Sequence, residues 1–435
     1  MTLEFLDIIP IILVFVFYFF GMPIVYSLFG ATFFYFLFID TTSQPWLILQ
    51  KVMNSTQSFS MLAIPFFIMS GSVMNFGGIS DKLMDFCECV TGHMKGGLAQ
   101  VNVLLSMLMG GCSGSANADC AMQSKMLVPE MEKRGYSKAF SAAITAASSA
   151  ATPVIPPGVN LIVFTLIAQA SLGRTFAAGY VPGILMAVSM MITVAIIANK
   201  RNYPTTRDKI ASPKEMLKQA FISFWGLFFP FGIILGMRFG MFTPSEGGAV
   251  AVLYCFIIGR LVYKQLSFRK HFIPIVLDTI AGTSSVVLIM VSANVFGNYM
   301  SWINLPKIVA TAVLGITTNK YVFLMLCNLI LLIMGMFLEG GAALMIITPL
   351  LLPVARQLGI NDYHFGLVAI VNIMVGGITP PFGSMMFTTC GITGCPISDF
   401  LKEVWPFIVS LLIVLLLCTF CPVLITIVPD LIYGP

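Results

Sequence analysis

The sequence predicts an all-α polytopic membrane protein built from two inverted repeats, each with a re-entrant hairpin and a discontinuous helix. Three observations lead there. The 435-residue chain is 58% hydrophobic and only 9% charged, where a soluble domain carries about 25% charged residues. Glycines and prolines recur at a fixed offset of 224 residues. Lysines and arginines gather on one side of the implied topology. A mean hydropathy of +0.95 excludes a soluble enzyme, a secreted domain, a nucleic-acid binder and a disordered chain. The net charge of +5 is too small to imply a polyanionic partner.

Apolar runs of about 20 residues read as membrane spans. The first two lie near 3–20 and 24–39, separated at Gly21-Met22-Pro23. The start lacks the basic segment of a signal peptide, so the first run is expected to stay as a membrane helix. A third span covers 59–77. A glycine-interrupted region, 98–131, reads as a hairpin. The run 139–171 is broken at Pro153 and Pro156-Pro157, and a span at 178–198 follows. The polar stretch 199–219 holds Lys200, Arg201, Arg207, Lys209, Lys214 and Lys218. Spans at 220–238, 245–263 and 272–297 precede a second hairpin (321–358), a second broken run (362–395) and a last span (405–429). The chain thus divides into a first repeat (1–200), a basic loop (201–219) and a second repeat (220–435).

Placing the basic loop in the cytoplasm, with about ten full crossings, tests this layout. Lys51, Arg174, Arg238, Lys307, Lys320 and Arg356 fall outside, Lys125 falls within a hairpin, and sixteen of the 23 basic residues fall inside. That is the bias expected of membrane proteins.

The repeat itself is carried by backbone-breaking residues. Gly111 matches Gly335, Pro129 matches Pro353, Gly135 matches Gly359, and Pro156-Pro157 match Pro380-Pro381, without a gap. Hydrophobic classes match between them, as in Val128 with Leu352 and Ile144 with Val368. An odd number of crossings per half turns the second repeat upside down, an arrangement that secondary transporters use.

A broken helix frees carbonyls and amides, each costing several kcal/mol in hydrocarbon. Such breaks persist where protein, water or ions satisfy them. Freed carbonyls and hydroxyls suit a hard cation such as Na⁺, and half-helix N-termini suit an anion. The first tip offers Ser113, Gly114, Ser115, Asn117 and Asp119; the second reads Gly335-Met-Phe-Leu-Glu-Gly-Gly341. One Na⁺ site is expected per hairpin and broken-helix pair: Ser113, Gly114 and Ser115 with Ser148, Thr152 and Ile155, then Gly340 and Gly341 with Gly376, Thr379 and Phe382. An organic anion would lie between the tips, near Ser115, Asn117, Asn160, Glu339 and Ser384. Asp119 and Glu339 are the notable acids in apolar surroundings, and intramembrane acids are functional hypotheses. Lys125 is a candidate partner for Asp119. Glu246, in Thr243-Pro-Ser-Glu246, reads as a helix cap. Cys418 and Cys421 read as packing residues inside one hydrophobic helix. His93, His271 and His364 lack metal-ligand spacing, and no resident metal or cofactor is expected beyond Na⁺ as the coupling ion.

Ser113-Gly-Ser-Ala-Asn-Ala-Asp119, Lys133-Arg-Gly-Tyr136, Ala146-Ala-Ser-Ser149 with Pro156-Pro157, Phe242-Thr-Pro-Ser-Glu246, Thr348-Pro-Leu-Leu-Leu-Pro353, His364-Phe-Gly366 and Thr379-Pro-Pro-Phe-Gly383 together resemble the large membrane subunit of tripartite ATP-independent periplasmic (TRAP) transporters. The resemblance covers residues 20–410. It implies a multi-pass protein of the bacterial inner membrane, with an elevator-type fold whose transport domain moves against a scaffold. The implied partners are a small four-helix membrane subunit and a periplasmic substrate-binding protein. The implied function is Na⁺-driven import of an organic acid anion. By position, Ser113 and Ser115 match hairpin serines near an ion and the substrate, and Thr379 matches a second ion site. Asn160 and Glu339 depart from the sialic-acid branch, where a serine and an aspartate are expected, so carboxylates and small sulfonates both remain as substrates. The rival readings are a dicarboxylate symporter without a binding protein, a channel, and an intramembrane serine protease suggested by Gly111-Cys-Ser-Gly114.

Overall fold

The computed structural model describes residues 5–40, 46–57, 59–110, 114–207 and 209–434. Every regular element among them is helical. The first half contains α1 (Phe5–Phe19), α2 (Ile24–Phe34), α3 (Trp46–Thr56), α4 (Ala63–Phe76), α5 (Ile79–Thr91), α6 (Gly97–Met109), α7 (Ala116–Lys133), α8 (Lys138–Ser149), α9 (Val159–Ala168) and α10 (Leu172–Arg201). The second contains α11 (Pro213–Arg238), α12 (Pro244–Ile257), α13 (Phe268–Trp302), α14 (Leu305–Ile316), α15 (Lys320–Phe337), α16 (Gly340–Gln357), α17 (Asp362–Gly376), α18 (Ser384–Thr393), α19 (Ile397–Phe420) and α20 (Val423–Tyr433).

The chain offset of 224 reappears in the helix boundaries. It carries both ends of α7 onto α16 and the start of α8 onto α17. Ser137 and Asn361 cap the latter two helices with side-chain oxygens. Gly135 and Gly359 both take positive φ, +87° and +70°, a conformation that glycine adopts without a Cβ penalty. The Pro156-Pro157 and Pro380-Pro381 peptide bonds are both cis. Gly111 lies outside the described residues.

Among the described residues, seven helices are long and apolar enough to cross a membrane: α10, α11, α12 with its π-turn extension, α13, α15, α16 and α19. The pair α4 and α5, bent by 67°, is an eighth if the two form one broken span rather than a re-entrant loop. The about ten crossings expected from the sequence include runs such as 139–171, which Pro and Gly divide into the shorter helices α8 and α9. The third span ends where expected, with α4 stopping at Phe76, and a left-handed Gly78 then turns the chain into α5, a helix not expected from the sequence. The loop is shorter than 201–219, because Ser212 and Pro213 already start α11. The last span is also shorter. Pro422 cannot continue the hydrogen bonding of α19, so α20 is a separate helix. Cys418 is buried within α19, but Cys421 is exposed at its end and packs in no core. The short helices α3 and α14 went unrecognised.

Packing separates two regions. The broken helices are the most enclosed: residues 140–158 and 364–379 are buried throughout. Around them stand the hairpin helices α6, α7, α15 and α16, with α10 and α19 alongside. By contrast α13 is mostly uncovered, and large apolar side chains such as Phe20, Phe221 and Ile316 stand open to the surroundings. Surfaces of that kind suit lipid, not water. At the loop, the backbone amides of Thr206 and Arg207 both donate to Gly92 O, at 2.8 and 2.9 Å. Arg201 pairs with Glu403 at 2.9 Å, tying α10 to α19.

In the second pair, α15 and α17 touch backbone to backbone. A Cβ on Gly376 would stand 2.7 Å from the Gly335 main chain, with no flexible side chain to yield. Gly376→Ala is therefore expected to destabilise the protein by about 1–3 kcal/mol. Gly391→Ala, in a helical position with open space around it, should be neutral or gain about 0.5–1 kcal/mol. Thermal unfolding of the two purified variants in one detergent measures the contrast.

Candidate functional site

Both hairpin tips and both helix breaks open onto one cavity of about 480 Å³. The first tip supplies Gly114 through Ala118, and the second supplies Leu338, Glu339 and Gly340. Val159 and Asn160 come from the first break, Gly377 and Ser384 from the second. The opposite wall belongs to α4 (Ile68, Gly71, Ser72, Asn75) and α13 (Asp278 to Val286). The cavity therefore lies on the seam between the hairpin region and the remaining helices.

The five residues assigned from sequence to an anion, Ser115, Asn117, Asn160, Glu339 and Ser384, all line this cavity. Ser115 and Glu339, related by the 224-residue offset, are the N-cap residues of α7 and α16. Ser115 accepts a long bond from Ala118 N at 3.5 Å. Glu339 makes no side-chain cap bond and lines the cavity. Asn160 crosses to the other repeat: a Cβ on Gly340 would come within 2.7 Å of its Nδ2.

The residues assigned to two cations divide differently. Ser113 lies outside the described residues. Gly114 accepts a bond from Val159 N at 3.1 Å, which fastens the tip to the break. Ser148 and Thr152 are fully buried behind it, in a chain of polar groups reaching α6. Asn102 Nδ2 donates to Thr145 Oγ1 (2.8 Å), Ser148 Oγ to Asn102 Oδ1 (2.7 Å), Ser106 Oγ to Ser148 Oγ (2.9 Å) and Gln123 Nε2 to Ser106 Oγ (2.7 Å). In the second pair, Thr379 Oγ1 donates to Val375 O at 2.6 Å. Gly341 lies beside Gly340 and faces Asn160, while Gly376 packs on Gly335. Phe382 turns its ring outward against Phe337, 5.4 Å between centroids, so only its carbonyl can face a break. Among the described residues, no amide or hydroxyl donates to the carbonyls of residues 152–157, or to those of 378–382. Ile155 belongs to the first of these runs.

Asp119 is buried at 1% exposure. It accepts from Gln123 Nε2 at 2.8 Å and Thr152 Oγ1 at 2.9 Å. Lys125 is not its partner; it is exposed. Six residues along a helix turn the side chain to another face, where only i+3 and i+4 neighbours meet. Glu246 closes a capping box, accepting from Thr243 N and Thr243 Oγ1 at 2.7 and 2.8 Å. His364 hydrogen-bonds Cys418 O at 2.9 Å.

Sequence reasoning missed Asp278, a third acid in apolar surroundings. It stands on the cavity wall and accepts a bond from Ser72 Oγ at 3.3 Å. The signal was present, since Ile-Val-Leu-Asp-Thr-Ile interrupts an apolar run with one charge.

Removing the Asp119 carboxylate would leave one N–H of the Gln123 amide without an acceptor, at about 1–3 kcal/mol, and Thr152 Oγ1 with only its longer bond to Ser106 O, 3.2 Å. Asp119→Ala should lower the thermal midpoint measurably, and Asp119→Asn less, because its amide oxygen still accepts from Thr152. Equal midpoints for wild type and Asp119→Ala would show that the network contributes no stability.

Residues 11–424 match the family model for the tripartite ATP-independent periplasmic transporter, DctM component. The chain is 35% identical to the sialic acid TRAP transporter large permease protein SiaM of Vibrio cholerae, over 95% of this chain and 96% of that one. It is 32% identical to the C4-dicarboxylate TRAP transporter large permease protein DctM of Pseudomonas aeruginosa, over 87% and 88%. It is 36% identical to the isethionate TRAP transporter permease protein DctMQ of Oleidesulfovibrio alaskensis, over 86% and 58%. In fold it is similar to the Neisseria gonorrhoeae MtrF structure (TM-score 0.58, 11% identity, 88% of this chain and 86% of that one). It is also similar to the Alcanivorax borkumensis YdaH transporter (TM-score 0.56, 16% identity, 88% and 89%). These relatives are permeases rather than enzymes, which retires the serine-protease reading. With the family match spanning nearly its whole length, the chain belongs to the DctM component family of TRAP transporters, the large integral-membrane permease subunits.

Proposed function

We propose that this permease imports an organic acid anion in symport with Na⁺, by elevator-type alternating access in the bacterial inner membrane. In this reading a periplasmic binding protein delivers the anion and a small four-helix subunit stands beside the permease. One observation carries the proposal. The first turns of four helices, α7 (Ala116 to Ala118), α9 (Val159, Asn160), α16 (Gly340) and α18 (Ser384, Met385), line a single cavity. Helix N-termini carry partial positive charge and unsatisfied amides, so four of them favour an anion without a basic side chain. The acids in the relatives' names, sialic acid, isethionate, C4-dicarboxylate and 2,3-diketo-L-gulonate, are consistent with this.

Na⁺ fits the two runs of free carbonyls, at residues 152–157 and 378–382. Oxygen ligands of this kind suit a hard cation. The first site would draw on Gly114 and Ser115 at the tip, the second on Gly340 and Thr379. Ion binding would fix tip against break and complete the anion site. Coupling then requires that the domain cross empty or fully loaded, and poorly with Na⁺ alone, because a ligand shifts only states it binds unequally.

The elevator reading draws on α13. Residues 278–286 line the main cavity, and residues 290–301 line a second hollow of about 270 Å³ against α9 and α16. The two stretches are about 20 Å apart along the helix axis, at 1.5 Å per residue. One uncovered helix thus borders both ends of the seam, as a fixed rail would.

The test is uptake into proteoliposomes holding both membrane subunits and the binding protein. An inward Na⁺ gradient should drive accumulation. Ser115→Ala, Glu339→Gln and Thr379→Val should each cut the rate about tenfold or more, the equivalent of ~1.4 kcal/mol, at unchanged expression. Uptake indifferent to Na⁺, or wild-type rates in all three variants, would refute the assignment.

A further inference from the structure

We infer that the ligand of this cavity carries one acidic group together with hydrogen-bond donors, hydroxyl or ammonium groups, and that Asp278 discriminates against a second acidic group. The inference rests on the reading of the cavity as the anion site. Among the described lining residues there is no lysine, arginine or histidine. There are two carboxylates, one on each wall: Glu339 at the second tip and Asp278 on α13.

Among the described residues, no base pairs with either carboxylate, and Asp278 receives a long bond from Ser72 Oγ, 3.3 Å. Glu339 occupies an N-cap, where a side-chain oxygen commonly accepts from the first turn, yet makes no such bond. Asn117 Oδ1 adds a further acceptor that no described group satisfies. Ionised carboxylates only accept hydrogen bonds. A ligand matching these groups must bring donors.

The same arrangement penalises a second negative charge. One acidic group can sit at the helix N-termini, where the tips and breaks meet. A second acid at the far end of the ligand would be placed toward Asp278 and repelled. A hydroxyl or ammonium group there would instead donate to it. The volume, about 480 Å³, is ample for an acid with several such groups.

Thermal stabilisation of the purified two-subunit membrane complex, in NaCl against choline chloride, tests this without the binding protein's own selectivity. D-gluconate supplies hydroxyl donors, β-alanine an ammonium group, and succinate two carboxylates without donors. Gluconate or β-alanine should stabilise in a Na⁺-dependent way at concentrations at least tenfold below succinate. Asp278→Asn should narrow that gap several-fold by improving succinate, and Asp278→Glu should keep it, which controls for folding. Succinate matching or exceeding both other acids in wild type overturns the inference. So does a gap unchanged in Asp278→Asn, or no response to either donor-bearing acid. Tight succinate binding in Na⁺ would leave Na⁺-coupled anion transport standing, whereas indifference to Na⁺ with every acid that binds would remove that reading too.

Discussion

Two short stretches of main chain, residues 150–158 and 377–383, abandon helical hydrogen bonding, the first buried throughout and the second buried up to Thr379. Free carbonyls in an apolar medium cost several kcal/mol each, so the surrounding structure must shield them from lipid. It does so by close approach. A Cβ on Gly179 of α10 would stand 2.2 Å from Val154 O, and one on Gly183 would strike Ile155 at 2.3 Å. Small residues there let a long spanning helix lie directly on the first break. The hairpin tip closes the other side through the bond from Val159 N to Gly114 O. The features of the candidate site follow from this enclosure: carbonyls to which no described group donates, helix starts that share one cavity, and a buried wall behind both.

Neither repeat builds the site alone. Cys120 of α7 lies against Met385 O and Thr389 of α18, joining the first hairpin to the second break. Asn160 of α9 faces Gly340 and Met374, joining the first break to the second hairpin. This crossed packing makes the two hairpins and two broken helices one packed region. Its interface with α4 and α13 is where the cavity lies, with polar groups on both sides. A protein interior is dense and resists gradual deformation, so motion along such a seam is more economical than motion within the packed region.

Backbone features were legible in the sequence and side-chain partnerships were not. Glycine and proline report main-chain geometry directly, so Gly135 with Gly359 and the two proline pairs gave the register that the helix ends obey. Ser115 and Glu339 were readable as tip residues because each follows a break and starts a helix. Asp119 was legible as a buried acid with Gln123 as its i+4 neighbour on α7, but its bond from Thr152 depends on how the first break closes on α7, which spacing along one chain does not encode. Asp278 was overlooked for a related reason. The Gly and Pro breaks mark only one wall of the cavity, while the second, formed by α4 and α13, carries a single acid and no such break where it lines the cavity. Cys421 failed differently: an apolar run conceals a helix end when the terminating residue, Pro422, sits inside it.

The repeats share a backbone and differ in chemistry. Ser148 and Asn372 stand at matching positions in the broken helices. Ser148 joins the Asp119 network, whereas Asn372 Nδ2 donates to Asn328 O and Oδ1 at 2.9 and 3.0 Å, and Asn328 in turn reaches Thr419. The first repeat thus buries an acid behind its break, and the second buries only neutral amides and a hydroxyl. At the matching N-caps the order is reversed: a neutral Ser115 faces the cavity in the first repeat and an acidic Glu339 in the second. Each pair therefore holds one carboxylate near its break, but on opposite sides of it. A cation at the first break would have its acid behind it, away from the ligand. At the second it would have its acid beside the ligand. On the proposed reading, similar main-chain frames would then give two inequivalent cation environments.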